Sequence, residues 1–362
     1  MAELVPGVRT IVVLRAGRVG DFLMTLPALA ALRAAYPRAR LVLVAEEWHA
    51  AFLDGRPGPV DEVAVLPPVP GVTLPPDAEP GPAERAARER FTARVRDLRP
   101  GLAVQLHGGG RNSGPLLREL GAGVSVGPRT TGAPALDRWI RYEPLQHDVL
   151  RALEIVALAG ARAQDLRPRV TLTNADEREL TAVLDGGVPR DMVVLHPGAA
   201  DARRRWPAER FAQVGDALAE RGLSVVVTGT EAERPVVERV TAAMRRPAVP
   251  LAGRLGLGGL TALLGRARLY VGNDTGPRHL AEAVGCPTAA VYWCGNLMTA
   301  GPLGRATDRP LVSWTTHCPD CGADAARGKR RCPHDGSFVT DVPVAEVTAA
   351  AYDLLDSPVT PR

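Results

Sequence analysis

The stretch Leu269-Tyr270-Val271-Gly272-Asn273-Asp274-Thr275-Gly276-Pro277-Arg278-His279 carries the pattern that decides the fold. Residues 269–273 form a short apolar run, the signature of a buried strand. Residues 277–284 then take helical spacing, with Pro277 preorganised for a first turn and Asp274 or Thr275 placed to cap it. Such a strand–turn–helix step exposes backbone N–H groups at the helix start, and those donors, with the helix dipole, favour a diphosphate. Gly276 permits phosphate to approach the backbone, and His279, one turn along, is placed to donate to a phosphate oxygen. The same residues also read as an ordinary capped helix, so their neighbours decide.

The step recurs along the chain. Around the opening stretch, strands at 192–196, 224–229 and 288–292 alternate with helices at 207–221, 232–245 and 260–265, and a helix at 344–355 closes the chain. Earlier, strands at 10–15, 40–45, 60–66 and 102–106 alternate with helices at 22–36, 83–98 and 148–159, while the Pro- and Gly-rich residues 67–82 form a loop. This alternation predicts an α/β fold of parallel sheets covered on both faces. A length of 362 residues suits two domains. The expected division is a Rossmann-like domain at 1–170 and a second at 171–342 that carries a Cys-rich loop at 317–336. A terminal helix at 343–362 follows, for which packing back on the first domain is considered. Ligands of such sheets bind beyond the carboxyl ends of the strands, so the informative residues are those just after strands.

Four further segments stand there. His196-Pro197-Gly198-Ala199-Ala200 leads to Arg203-Arg204-Arg205-Trp206-Pro207, three arginines at a strand mouth that suit a diphosphate leaving group or form a solvated basic loop. Thr228-Gly229-Thr230-Glu231 offers Glu231 to a ribose, or a plain helix-start glutamate. Arg15-Ala16-Gly17-Arg18-Val19-Gly20-Asp21 places Asp21 at a helix start, as a cap or as a general base. His107-Gly108-Gly109-Gly110-Arg111-Asn112-Ser113 is a candidate acceptor loop through His107, Arg111 and Asn112, or a flexible turn. Trp48, Trp139 and Trp293 read as packing residues.

The five cysteines all fall between Cys286 and Cys332. Cys318-Pro319-Asp320-Cys321-Gly322 and Cys332-Pro333-His334-Asp335-Gly336 echo each other, and a Cys-x-x-Cys turn aims two thiolates at one tetrahedral metal. Cys318, Cys321, Cys332 and His334 are therefore a candidate structural zinc set, with Asp335 or His317 as alternatives to His334, against a loop of free thiols. An odd, clustered cysteine count does not match a secreted disulfide framework. The net charge is +4, and Lys329 is the only lysine among mostly arginine basic residues, which reads as the codon bias of a GC-rich genome. No aromatic-interleaved basic stripe appears, so nucleic acid is not an expected partner. With neither a signal-like segment nor a membrane-length apolar run, the expected location is the cytoplasm, with peripheral membrane contact left open.

These segments in this order resemble glycosyltransferase family 9, the heptosyltransferases of lipopolysaccharide cores. The resemblance rests on Gly20-Asp21, Leu26-Pro27-Ala28-Leu29, His196-Pro197-Gly198-Ala199, Arg204-Arg205-Trp206-Pro207, Leu251-Ala252-Gly253 and Asn273-Asp274-Thr275-Gly276-Pro277 with His279-Leu280. It implies a GT-B architecture of two Rossmann-like domains facing across a cleft. It implies an inverting, metal-independent transfer that requires no catalytic cofactor. The implied partners are a nucleotide-diphosphate sugar of the ADP-heptose kind and a glycan or small-molecule acceptor. By the same resemblance Asp21 is the catalytic base, and His196, Gly198, Arg204, Glu231, Asp274, Thr275, Gly276 and His279 hold the donor. Two positions depart from the pattern: Ala200 stands where many members carry a hydroxyl, and Arg204 where members often carry lysine. The competing readings are a sugar-nucleotide epimerase or hydrolase on the same plan, and a non-catalytic nucleotide-sugar binding protein. A nicotinamide dehydrogenase lacks support, because Gly17 and Gly20 do not complete the dinucleotide fingerprint.

Overall fold

The computed structural model describes residues 2–184, 187–325 and 332–357. The parts of the expected Cys-rich loop at 326–331 and of the terminal helix at 358–362 lie outside the described residues. The chain divides into two compact units, Met1–Thr171 and Leu172–Arg362.

The first unit is built on β1 (Thr10–Leu14), β2 (Arg40–Ala45), β3 (Glu62–Val65), β4 (Leu102–Gln105), β5 (Val124–Arg129) and β6 (Arg138–Arg141). They form one parallel sheet in the order β3-β2-β1-β4-β5-β6. The second unit repeats the plan with β7 (Met192–His196), β8 (Ser224–Val227), β9 (Ala248–Pro250), β10 (Leu269–Asn273), β11 (Thr288–Trp293) and β12 (Asp308–Ser313). Their order is β12-β11-β10-β7-β8-β9, again parallel. In each sheet the chain winds outward one way, returns to the middle and winds outward the other way. The reversal falls between β1 and β4 in one unit and between β7 and β10 in the other. A crevice opens at such a switch point, where adjacent loops part to opposite faces.

The central strands form because they are short apolar runs with both faces covered. β1, β7 and β10 are buried along their whole length. The edge strands β6 and β9 are half-buried or exposed, and one carries arginines and the other ends in proline. The expected single helix at 22–36 is two, Val19–Leu23 and Leu26–Ala35. Pro27 supplies the reason: it has no N–H for the carbonyl one turn back, and its ring would crowd that carbonyl. Thr25 closes the first piece by donating its hydroxyl to Phe22 O at 2.6 Å.

The terminal helix Val344–Asp356 packs in the second unit. Its stripe of Val347, Ala351 and Leu354 joins a core with Trp206, Phe211, Val271 and Val291. Its polar rim fixes it further: Asp353 pairs with Arg309 and Asp356 with Arg221, both at 2.6 Å. Among the described residues no helix is long and apolar enough to cross a membrane.

Candidate functional site

At the β7/β10 switch point the expected donor residues come together. Asn273 ends β10, is fully buried, and ties three pieces of chain. Its Nδ2 donates to Pro197 O at 2.8 Å and Gly198 O at 3.3 Å, and its Oδ1 accepts from Trp206 N at 3.0 Å. The loop after β7 and the arginine loop are thereby strapped to the end of β10. Sequence reasoning quoted Asn273 within the motif but gave it no role.

Asp274 follows, 2% exposed. Arg204 Nη1 donates to Asp274 O at 3.1 Å and lies 3.3 Å from its Oδ2, while His279 Nε2 lies 3.6 Å from Oδ1. Burial pushes the Asp274 carboxyl up, and the neighbouring cations Arg278 and Arg204 pull it back. Arg278 is itself buried, paired with Glu282 at 2.6 Å and donating to Ala300 O at 2.9 Å. With its carboxylate turned to Arg204, Asp274 does not cap the next helix. Thr275 is the N-cap of Gly276–Ala283 and its hydroxyl makes no capping bond. The first-turn amides of a helix have no intrahelical partner, and Pro277 has none to offer, so Gly276 N–H is the amide presented there.

The three arginines divide their work. Arg203 pairs with Asp201 at 2.6 Å, Arg205 Nε donates to Ala199 O at 2.8 Å, and Arg204 alone of the three meets Asp274.

His196 ends β7, 4% exposed, with Nδ1 3.1 Å from Thr228 Oγ1 and Nε2 3.9 Å from Glu233 Oε2. Burial pushes its pKa down, against the pull of Glu233, so the ring is held neutral. A Cβ on Gly198 would lie 2.1 Å from Glu233 Oε1, so a side chain there displaces that carboxylate. Glu233 thus faces the His196–Gly198 loop, and it is anchored by Thr230 N–H at 2.9 Å. Sequence reasoning passed over it, although Thr230-x-x-Glu233 is a capping-box pattern readable in the sequence. Glu231 stands at the end of β8 with an exposed side chain, paired to Arg234 at 2.6 Å and lying against Gly253.

In the first unit, Asp21 and His107 flank Gly17 at the β1/β4 switch point. A Cβ on Gly17 would meet Asp21 Oδ2 at 3.4 Å and His107 Cε1 at 4.0 Å, and Gly17 takes φ +110°. Asp21 is 43% exposed, with Oδ1 3.5 Å from Arg15 Nη2. Arg15 is held behind it by Leu106 O at 2.7 Å. Gly17 N–H donates to Glu46 Oε1 at 2.7 Å, and His107 Nδ1 lies 3.1 Å from Ala16 O. Burial, then Arg15, push the His107 pKa down. The other acceptor-side residues turn elsewhere: Arg111 donates to Thr131 O at 3.1 Å, and Asn112 lies over Gly71. A cavity of about 690 Å³ opens nearby, lined by Arg129, Trp139, Arg141 and Tyr142. Trp139 is 44% exposed with the Arg129 guanidinium 4.7 Å over its ring, so it is a surface platform and not core packing.

Residues 110–320 match glycosyltransferase family 9 (heptosyltransferase). The chain belongs to glycosyltransferase family 9. It is 35% identical over 131 residues to lipopolysaccharide heptosyltransferase 1 of Pseudomonas aeruginosa, a match covering 36% of each chain. The matched stretches span about a third to a half of the first curated relatives' length (36%, 50% and 44%). Two solved structures share the fold. A family 9 glycosyl transferase from Veillonella parvula has a TM-score of 0.75 at 22% identity, over 96% of this chain and 97% of that one. ADP-heptose lps heptosyltransferase II of E. coli has a TM-score of 0.74 at 20% identity, over 96% and 98%. The two parallel Rossmann-like units of this family 9 chain are those of the GT-B fold.

The family 9 chain also carries its cysteine cluster at close quarters. Cys318, Cys321, Cys332 and His334 each bring one ligand atom within 4.8 Å of the others.

Proposed function

We propose that this protein is an inverting glycosyltransferase that moves a heptose from an ADP-linked donor to a hydroxyl of a glycan or small-molecule acceptor. The observation that carries the reading is the Arg204–Asp274 contact beside an uncapped helix start at the β7/β10 switch point. That arrangement offers a guanidinium and a backbone amide to a diphosphate. Family membership and the ADP-heptose in the name of the E. coli relative support the choice of donor.

In the proposed step Asp21 takes the proton of the acceptor hydroxyl. The acceptor oxygen bonds to the anomeric carbon from the face opposite the nucleotide, and the bond from that carbon to the diphosphate breaks. The nucleoside diphosphate leaves with the bonding electron pair, and its charge is met by Arg204, His279 and the Gly276 amide. Donors already oriented need no reorganisation as that charge grows, so they take the place of a catalytic metal. Arg15 stands behind Asp21, its Nη2 3.5 Å from Oδ1, and holds the carboxylate in place. Neutral His196 and Gly198 shape the loop beneath the phosphates, with Thr275 at the helix cap. Glu231 accepts from the ribose, since its exposed pair with Arg234 is worth little and yields to a ligand. On the first unit, His107 and the arginine- and tryptophan-lined cavity suit an anionic saccharide acceptor, with Arg111 and Asn112 shaping the loop. The proposed site of action is the cytoplasm, with peripheral membrane contact where the acceptor is lipid-linked.

Asp21→Asn tests the reading. General-base help is worth roughly 10²–10⁴-fold, so turnover falls by that order while ADP affinity holds. Unchanged turnover removes Asp21 from the base role. Donor incubated without acceptor separates transfer from epimerisation or hydrolysis, because a transferase leaves the donor intact.

A further inference from the structure

The cysteine cluster plays no part in the transfer chemistry, yet its surroundings are built to hold sulfur. Cys318 N–H donates to Ala323 O and Gly322 N–H to Cys318 O, both at 2.8 Å. His317 and Asp324 pair as an antiparallel bridge, and Gly322 takes the left-handed φ of +71° that closes the turn. Within this turn the amides of Asp320 and Cys321 point at Cys318 Sγ, and that of Ala323 at Cys321 Sγ. Amides aimed at sulfur stabilise a thiolate. Opposite stand Cys332 and His334, and His334 Nδ1 is buried with no hydrogen-bond partner. A disulfide would consume two of the three sulfurs and leave the third, and the orphaned imidazole nitrogen, unexplained. Three sulfurs and one imidazole nitrogen make a tetrahedral set for zinc or ferrous iron.

The loop that carries this set stands on the donor-binding machinery. It begins just after Thr315, whose carbonyl accepts from Trp293 Nε1 at 2.6 Å. It ends at Ser337 and Phe338. Ser337 Oγ donates to Arg205 O at 2.7 Å, and Phe338 N–H donates to Arg203 O at 2.8 Å. The Phe338 ring lies 5.6 Å from the Arg203 guanidinium and packs edge-on against Trp293 at 5.7 Å. The two backbone carbonyls so held flank Arg204.

We propose that Cys318, Cys321, Cys332 and His334 bind one zinc-type divalent metal ion, and that the closed loop braces the Arg203–Arg205 backbone so that Arg204 is set for the donor phosphates. The second half rests on the donor reading above. Metal binding displaces the remaining thiol protons to solvent. The metal is structural, and the residues it positions are Ser337 and Phe338.

The test uses the full-length protein, purified in reductant without chelator. Metal analysis gives about one equivalent of zinc or of iron per chain, and the element found decides between them. His334→Ala and Cys332→Ser lose most of that metal, and His334→Cys, which offers a fourth sulfur, retains it. Stripping the metal weakens ADP binding on the order of tenfold and raises the donor KM more than it lowers kcat, and added zinc restores both. Wild-type protein that carries no metal and takes up none from zinc under reductant overturns the site. Metallated and stripped proteins with equal ADP affinity overturn the bracing role. If fully metallated protein binds no ADP, the donor reading falls and the bracing role with it, while metal content still decides the site.

Discussion

Replacing Asn273 with alanine removes the strap at the end of β10. Three hydrogen bonds go: those to Pro197 O and Gly198 O, at 2.8 and 3.3 Å, and that from Trp206 N at 3.0 Å. Trp206 is 1% exposed and Asn273 fully buried, so water does not readily replace them. A buried group left without its partner costs roughly 1–3 kcal/mol. Counting the Trp206 amide and the Pro197 carbonyl, with the longer bond as minor, gives about 2–6 kcal/mol. One water entering the vacated volume recovers part of this, so about 3 kcal/mol is expected. At roughly 2–4 °C per kcal/mol for a unit of this size, the melting temperature falls by about 6–12 °C. The assay is a thermal melt of the protein without ligand, followed by titration with ADP. Because the strap also holds the arginine loop, ADP affinity of the folded variant falls as well. Asn273→Asp sharpens the test. It keeps an acceptor for Trp206 N but sets a carboxylate against two carbonyl oxygens, so it is destabilising at neutral pH and is relieved as acid protonates it. A melt within about 1 °C of wild type for Asn273→Ala would refute the reasoning.

Two further perturbations probe the neighbourhood. In Gly198→Ala the new Cβ falls 2.1 Å from Glu233 Oε1 and drives that side chain off its anchor. Donor KM rises with little change in melting temperature, and adding Glu233→Ala restores part of the loss; an unaltered KM in Gly198→Ala excludes the close approach. His49, stacked on Trp48 with centroids 3.6 Å apart, has its pKa pushed down from 6.5 to about 3, chiefly by burial. As pH falls the unfolded chain takes this proton first. The stability contribution is therefore intact above about pH 6.5 and is lost between 6.5 and about 3. The full loss is on the order of 5 kcal/mol. Denaturant midpoints measured across that window should slope for wild type and flatten for His49→Gln; equal slopes would remove His49 as the cause.

Alternating short apolar runs and amphipathic segments announced parallel sheets, because burial on both faces writes itself into consecutive residues such as those of β1, β7 and β10. Four strands, β5, β6, β9 and β12, were not read from the sequence, and β6 and β9 left no such record. Each of these two has a neighbour on one side alone, and Arg138, Arg141 and Pro250 are tolerated there. The break before Leu26 was missed in the expected single helix, although Pro27, whose effect is local, marks it.

The site divides the same way. That Gly272–His279 carries the end of a strand into a helix was readable from the residues alone, as was a Cys-x-x-Cys turn with Cys332 as a third ligand; that His334 and not Asp335 or His317 joins them was decided by the structure. Which of three adjacent arginines meets Asp274 was not, and neither was the inward turn of Glu233 beside an exposed Glu231. These depend on where β7, β8 and β10 end relative to one another. The sequence by itself determined the strand–helix alternation around the central strands and the chemistry at their ends, because propensity, capping and burial period act within a few residues. Only the tertiary structure decided the partners, because parallel pairing brings Asn273 to Pro197 and Trp206 across 76 and 67 residues of chain.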